Sequence, residues 1–325
     1  MTGQVLFSVI IANYNKGDNI RPLLASIYAH PACEDFEVLF MDDASTDSSL
    51  QEAAKFPVRL FPTQEGVGPA TLRNRGAREA CGEYLLFVDS DAILPAGTIQ
   101  RFSELCRAGG FGAVSGLEVL PPVIDNWIGW FRTLQVQDNF GTYRLKEGPL
   151  ESWGSTLGGV RRELFFRCGG FNESYRGADV EDHELAIKLK GPEPMIFSPF
   201  MTYRHSYPGT AELIAKQFRR ASQMIQLDER MVLQSSLLFR WRFKGGHILS
   251  AAIVATGVVA LFKPGLSPLL ALLLILKLWL NSYLFIQAFR AKGPLFMAYA
   301  VQMSLIMGVS IVAGALYGKT RQVLR

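Results

Sequence analysis

The sequence predicts an α/β domain with a mostly parallel sheet in residues 1–230, followed by transmembrane helices in residues 231–325. Segments with the pattern of buried strands alternate with helical segments over the first ninety residues, which indicates a parallel sheet. All 29 acidic residues lie at or before Glu229. Residues 1–230 hold 23 of the 33 Lys and Arg, a net charge of 23 − 29 = −6, and the apolar remainder holds ten bases and no acid. This asymmetry indicates two environments.

The strand and helix assignments follow from hydrophobic periodicity. Val5 to Ala12 is an apolar run that ends at Asn13, which is typical of a strand buried on both faces. Ile20, Leu23, Leu24, Ile27 and Tyr28 then recur at helical spacing. The same reasoning predicts strands at 36–41, 58–61, 84–88, 112–120 and 154–160, and helices at 69–80 and 180–189.

Polar clusters follow three of the predicted strands. They are Asn13-Tyr14-Asn15, Asp42-Asp43 and Asp89-Ser90-Asp91. In open α/β sheets, ligands bind beyond the carboxyl ends of the strands. We therefore expect the three clusters to meet in one binding site.

The C-terminal third contains three apolar stretches, near 247–262, 266–286 and 295–317. A spanning helix needs about 20 residues, so the second and third stretches are long enough and the first is marginal. The bases flank these stretches and form no polar basic surface, so we expect a bilayer partner and no nucleic acid. The sequence predicts an integral protein of the inner or plasma membrane.

The placement of the bases predicts the orientation. Clusters at 240–244 and 290–292 should face the cytosol by the positive-inside rule, together with the N-terminal domain. We expect three spans, which satisfy both clusters and carry the C-terminus to the far side. The basic tail at 319–325 favours an alternative in which 247–262 does not cross and the tail stays in the cytosol.

Six short motifs occur along the chain. They begin at Ser8 (SVIIANYN), Asp42 (DDASTD), Arg73 (RNRGA), Val88 (VDSD), Gly169 (GGFNE) and Val180 (VEDHEL). In this order they resemble the motifs of family 2 glycosyltransferases, and the resemblance covers roughly residues 5–210. It implies a GT-A fold, a nucleotide-diphosphate sugar donor, a divalent metal ion and inversion at the anomeric carbon.

The resemblance assigns a metal site to Asp89-Ser90-Asp91. A departing diphosphate concentrates negative charge, which a hard cation with oxygen ligands neutralises. The motif implies Mn²⁺ or Mg²⁺, with Asp91 as the direct ligand and Asp89 shared between the ribose and the metal. His205 lies where relatives often have a histidine, and it either completes the metal shell or has a structural role.

The remaining donor contacts follow from the first three motifs. Asp42 or Asp43 resembles the acid that accepts a hydrogen bond from the imide N–H of uracil or thymine, which favours a UDP- or dTDP-sugar; capping of the next helix is the alternative. Ala12 and Asn13 would line the same base pocket. Arg73 would help to neutralise the diphosphate.

Inverting transfer needs a general base that deprotonates the acceptor hydroxyl. Asp182 matches the position of the base in the family, and Glu181 is a second candidate in the same turn. The alternative is an acidic first turn that interacts with the helix dipole.

The sequence thus predicts an inverting hexosyltransferase whose acceptor hydroxyl belongs to a lipid, a lipid-linked molecule or a cell-envelope glycan. Two alternatives stay open, a polyprenyl-phosphate sugar transferase and a non-catalytic membrane scaffold on the same fold. The Gly-Gly-Phe and Glu-Asp motifs fit the hydroxyl-glycosylating group better than the polyprenyl-phosphate group.

Overall fold

The chain folds into two compact units in a computed structural model. The structure describes residues 5–29, 35–140, 146–150, 152–175, 177, 179–191, 193–207, 209–225, 227 and 237–323. One unit comprises residues 1–123 and 145–206, and the other comprises 124–144 and 207–325. Two helices from the first 230 residues pack with the C-terminal helices, and the domain boundary at residue 230 stays a prediction.

Nine strands form the sheet of the first unit, in the order β3-β2-β1-β4-β8-β6-β9-β5, with β7 beside β9. Six of the nine described strands run in one direction, and β5, β7 and β8 run in the opposite direction. The mostly parallel α/β sheet is therefore confirmed. The strands are β1 (Phe7–Asn13), β2 (Phe36–Asp42), β3 (Arg59–Pro62), β4 (Tyr84–Asp89), β5 (Ala92–Ile93), β6 (Ala113–Glu118), β7 (Gly148–Pro149), β8 (Leu157–Arg161) and β9 (Met195–His205).

Six helices lie among the described residues of this unit, and the sheet is covered on both faces. Alternate residues of β1 enter different apolar clusters: Val9 and Ile11 pack in one, and Ile10 packs in the other. This arrangement explains why the strand is apolar at successive positions. The helices are α1 (Gly17–Tyr28), α2 (Ser49–Ala53), α3 (Pro69–Glu79), α4 (Thr98–Ala108), α6 (Arg162–Arg167) and α7 (Glu181–Lys188).

Gly82 allows the chain to pass close to β1 before β4 begins. A Cβ atom at this position would lie 2.6 Å from the Cα and carbonyl carbon of Phe7. Backbone atoms cannot move aside as a flexible side chain can, so we expect Gly82→Ala to lower the free energy of unfolding by about 1–3 kcal/mol. Denaturant unfolding measures the change, with Gly66→Ala as the control because its Cβ would meet nothing within 4 Å. Equal stability of the two variants would contradict the close approach.

The second unit is helical, and its helices end at places that the apolar runs do not mark. The predicted stretch 266–286 is divided at Asn281 (φ −106, ψ 24), where one helix ends after 14 residues. At 1.5 Å per residue this helix is about 21 Å long, shorter than the ~30 Å hydrocarbon core of a bilayer. The helices are α5 (Trp127–Phe140), α8 (Thr210–Met224), α9 (Leu237–Ala260), α10 (Ser267–Leu280) and α11 (Ser282–Val323).

Among the described helices, α11 is long and apolar enough to cross a membrane, and it is interrupted at Gly293 (φ 82). It contains the predicted stretch 295–317. The apolar parts of the two preceding helices, Gly245–Ala260 and Pro264–Leu280, are shorter. A C-terminal candidate span is thus present, and the number of spans stays a prediction.

Glycines let α11 pack closely on its neighbours. A Cβ on Gly314 or Gly318 would collide with the backbone of α8 at Phe218 or Ser222. The Ser310 hydroxyl also donates a hydrogen bond to the carbonyl of Ile214, at 3.1 Å. The residue pairs advance together along both helices, so α8 runs parallel to the last turns of α11.

Candidate active site

The polar clusters that follow β1, β2 and β4 lie at one edge of the sheet. In the strand register, Asn13 is beside Asp42, and Ala12 is beside Asp89. The three strands are parallel neighbours, so their carboxyl ends meet as the sequence predicts.

Asp89, Asp91 and His205 form a group that could hold a metal ion. Each offers one ligand atom, and these atoms lie within 4.8 Å of one another. The last residue of β9 joins the group because His205 pairs with Ala92 of β5. Two carboxylates and an imidazole suit Mn²⁺, and carboxylate oxygens also suit Mg²⁺. The donor set therefore fits the predicted metal.

Cations surround Asp91. The Nε2 atom of His205 lies 3.1 Å from its Oδ1 atom, and the Nζ atom of Lys16 lies 3.2 Å from its Oδ2 atom. Burial of the carboxylate acts to raise its pKa, but these two partners hold the pKa of Asp91 well below its usual range. Burial likewise acts to lower the pKa of His205, and the neighbouring carboxylates, led by Asp91, outweigh it and raise that pKa. The two partners thus favour the ionised form of Asp91.

Lys16 is a site residue that the sequence analysis missed. Its side chain is 43% exposed and reaches Asp91 from the loop between β1 and α1. The available signal was its place, directly after the Asn13-Tyr14-Asn15 cluster at a strand end.

Arg73 does not lie open to a ligand. Its side chain is 7% exposed, with one terminal nitrogen 2.8 Å from Oδ1 of Asp89 and the other 3.0 Å from Oε1 of Glu181. Burial acts to lower its pKa, but the charges of Asp89, Glu181 and Asp182 raise it, so the guanidinium stays charged. In the structure, Arg73 therefore pairs with two carboxylates, whereas the resemblance implies that it contacts the diphosphate.

The two candidate bases differ in exposure. Glu181 is 1% exposed, and its second oxygen accepts a hydrogen bond from the Asp179 amide at 2.8 Å. Asp182 is partly exposed, and its Oδ1 accepts a hydrogen bond from the His183 amide. Asp182 is thus the more accessible carboxylate of the pair.

The two acids predicted to bind the nucleotide base both accept hydrogen bonds from loop residues. Asp42 is fully buried and accepts hydrogen bonds from the side chain of Asn13 and the amide of Ser45, at 2.8 and 2.9 Å. Asp43 accepts hydrogen bonds from the Val67 and Gly68 amides, at 2.7 and 3.0 Å. Asp43 thus holds the start of α3, whereas the capping alternative concerned α2. Asn13 is also buried, whereas Ala12 is partly exposed.

Comparison with known proteins identifies a domain in the first half of the chain. Residues 8–165 match the family described as glycosyl transferase family 2. The chain contains a family 2 glycosyltransferase domain. The match covers β1 to β8 and includes Asp89 and Asp91, and it ends before α7 and β9.

Two curated relatives show how far this similarity extends. An uncharacterized glycosyltransferase of Haemophilus influenzae is 24% identical over 212 residues, which are 62% of this chain and 70% of that protein. The poly(ribitol-phosphate) β-N-acetylglucosaminyltransferase TarS of Staphylococcus aureus is 39% identical over 102 residues, which are 29% of this chain and 18% of that enzyme. This chain therefore spans less than a fifth of TarS.

A solved structure shares the fold. The mannosyltransferase PcManGT of Pyrobaculum calidifontis, in complex with GDP-Man and Mn²⁺, aligns with a TM-score of 0.59 and 20% identity. The alignment covers 99% of this chain and 89% of that chain. It shows that the chain has a GT-A fold.

Proposed function

We propose that the protein is an inverting glycosyltransferase that moves a hexosyl group from a nucleotide-diphosphate donor to an acceptor hydroxyl in a single displacement. The observation that carries this proposal is the Asp89, Asp91 and His205 group at the carboxyl edge of a family 2 sheet. The acceptor hydroxyl belongs to a lipid, a lipid-linked molecule or a glycan.

A divalent ion, Mn²⁺ or Mg²⁺, would be held by Asp91, Asp89 and His205. Its chemical contribution is to offset the negative charge that the diphosphate gains as it leaves. Lys16 adds a second cation at the same edge of the sheet, and its partial exposure leaves its ammonium group within reach of a bound phosphate.

We propose Asp182 as the general base and Glu181 as a residue that holds the start of α7. A base must reach the acceptor hydroxyl, and Asp182 is partly exposed. Glu181 is buried with both oxygens engaged, by Arg73 and by the Asp179 amide. Its carboxylate is thus committed to the protein interior.

The donor base is proposed to be uracil or thymine, bound near Asp42 and Asp43. Both acids already accept two hydrogen bonds each, and a carboxylate has about four acceptor positions. Asp42 is fully buried, so the acceptor positions proposed for an imide N–H are those of Asp43. Because PcManGT binds GDP-Man, guanine donors belong in the test as well.

The function is tested by nucleotide release from detergent-solubilised protein with UDP-, dTDP- and GDP-sugars, each with and without membrane lipid extract. We expect release with a uracil or thymine donor, dependent on Mn²⁺ or Mg²⁺ and stimulated by the extract. Sugar transfer to a polyprenyl phosphate would support the alternative acceptor. Binding of nucleotide sugars without turnover under every condition would indicate a scaffold.

We propose that the catalytic domain faces the cytosol and that the C-terminal tail lies on the same side. α8 carries Glu212, Lys216, Arg219 and Arg220, which are costly in hydrocarbon, and no apolar segment separates it from the catalytic domain. The last turns of α11 pack along α8, so they share its side of the membrane. This reasoning favours the cytosolic-tail alternative over three spans.

Reporter fusions test this orientation. We expect a cytosol-only fluorescent reporter to fluoresce both after Arg325 and, as the matched control, before the N-terminal domain. Alkaline-phosphatase activity of the C-terminal fusion would place the tail on the far side and support an odd number of spans.

A further inference from the structure

Arg73 joins two carboxylates that belong to different parts of the fold. It lies on α3, and it bonds Asp89 at the end of β4 and Glu181 at the first residue of α7. Thr156 holds the other oxygen of Asp89 through a hydrogen bond of 2.9 Å. The two carboxylates are thus fixed relative to a single guanidinium group.

The next residue of α3 strengthens the same connection. Asn74 donates a hydrogen bond to the Phe171 carbonyl and accepts one from the Phe171 amide, each 2.9 Å long. The ring of Phe171 also lies against the Arg73 guanidinium, with 5.5 Å between the ring centroid and Cζ. Two successive residues of α3 therefore hold the segment that leads into α7.

These contacts disfavour a diphosphate contact for Arg73. Its charge is offset by two carboxylates, and the side chain is 7% exposed. Turning toward a ligand would break the ion pair with Glu181, whose side chain is 2% exposed, and breaking a buried ion pair is costly. Lys16 is an exposed cation at the site, with a side chain that is 43% exposed.

We propose that Arg73 is a positioning residue that sets the placement of the Asp182 base on α7 relative to the donor-binding carboxylates at the end of β4. The proposal rests on the proposed function. Single displacement requires the base, the acceptor oxygen and the anomeric carbon in one alignment, and a misplacement of about 1 Å costs about 10²-fold in rate. Asp182 directly follows Glu181 in the sequence. The ion pair between Glu181 and Arg73 therefore sets the position of the Asp182 carboxylate.

The test compares Arg73→Gln, Glu181→Gln and the double variant in the full chain. We expect kcat to fall by about 10²-fold in each, while the donor KM and the Kd for the nucleoside diphosphate (UDP, dTDP or GDP, whichever the wild type binds best) change by less than about threefold. The double variant should lose no more than the worse single variant, because both changes break one connection. Arg75→Gln is the matched control, since Arg75 lies on the same helix over the ring of Phe61.

Other outcomes would overturn the proposal. A tenfold or greater loss of nucleoside diphosphate binding with normal kcat would make Arg73 a diphosphate ligand. Losses that multiply in the double variant would show that the two residues act independently. If Arg73→Gln does not fold, Arg73→Lys replaces it, and it should keep nucleotide binding and lose kcat.

A readout without turnover separates this inference from the proposed function. If the wild type turns over no nucleotide sugar, the function fails, and thermal unfolding of the same variants still tests the connection. We expect Tm losses that do not add in the double variant. If the Tm losses of the two single variants add up in the double variant, Arg73 and Glu181 do not connect α3 with α7.

Discussion

Replacing Asp91 with alanine is expected to reduce turnover by at least about 10³-fold while the fold stays intact. The carboxylate lies 3.1 Å from His205 and belongs to the group that could hold the metal ion. Loss of a ligand removes several kcal/mol of charge stabilisation from the step in which the diphosphate leaves. Nucleotide release at saturating donor measures the effect, and circular dichroism reports the fold.

Glu163→Gln is the control for this experiment. Glu163 is an exposed carboxylate on α6, which follows β8 at the opposite edge of the sheet, where Arg161 pairs with Tyr84. Its replacement should leave turnover unchanged. Full turnover of the wild-type protein in excess EDTA would show that the carboxylates do not work through a metal ion.

Replacing Asp182 with asparagine is expected to reduce transfer by about 10²- to 10⁴-fold, the usual range for a lost general base. Asparagine keeps the size and polarity of the side chain, so binding of the donor should survive. Transfer to the acceptor and equilibrium binding of the nucleoside diphosphate are the two measurements.

Two results would contradict the assignment of Asp182 as the general base. Normal transfer by Asp182→Asn, together with loss in Glu181→Gln, would move the base to Glu181. Loss of donor binding in Asp182→Asn would instead place Asp182 in the donor site. A loss of kcat with unchanged donor binding would support Asp182 as the general base.

The first half of the catalytic fold was predictable because its signals are local. Apolar runs mark β1, β2 and β4, and each ends in a polar cluster, so the sequence places Asn13, Asp42 and Asp89 at one edge. Parallel neighbours bring those ends together without any long-range information.

The rest of the site depends on contacts between distant residues. Arg73 and Glu181 are 108 positions apart, and no local pattern signals that their side chains meet. β9 was missed because its sequence, MIFSPFMTYRH, contains a proline and does not alternate regularly. In the C-terminal unit, hydropathy alone did not reveal the helix end at Asn281, whose side chain donates a hydrogen bond to Asp138 on α5 at 3.2 Å.

The division of the chain into units has a practical consequence for protein engineering. Residues 124–144 group with the helical unit, so a truncation after residue 230 is not expected to leave an independent domain. It would keep α5 and α8 but remove the helices on which they pack, baring apolar side chains such as Phe131 and Leu213. Such a fragment is expected to aggregate. A soluble catalytic domain would require excision of both helices, with a short linker in place of the first.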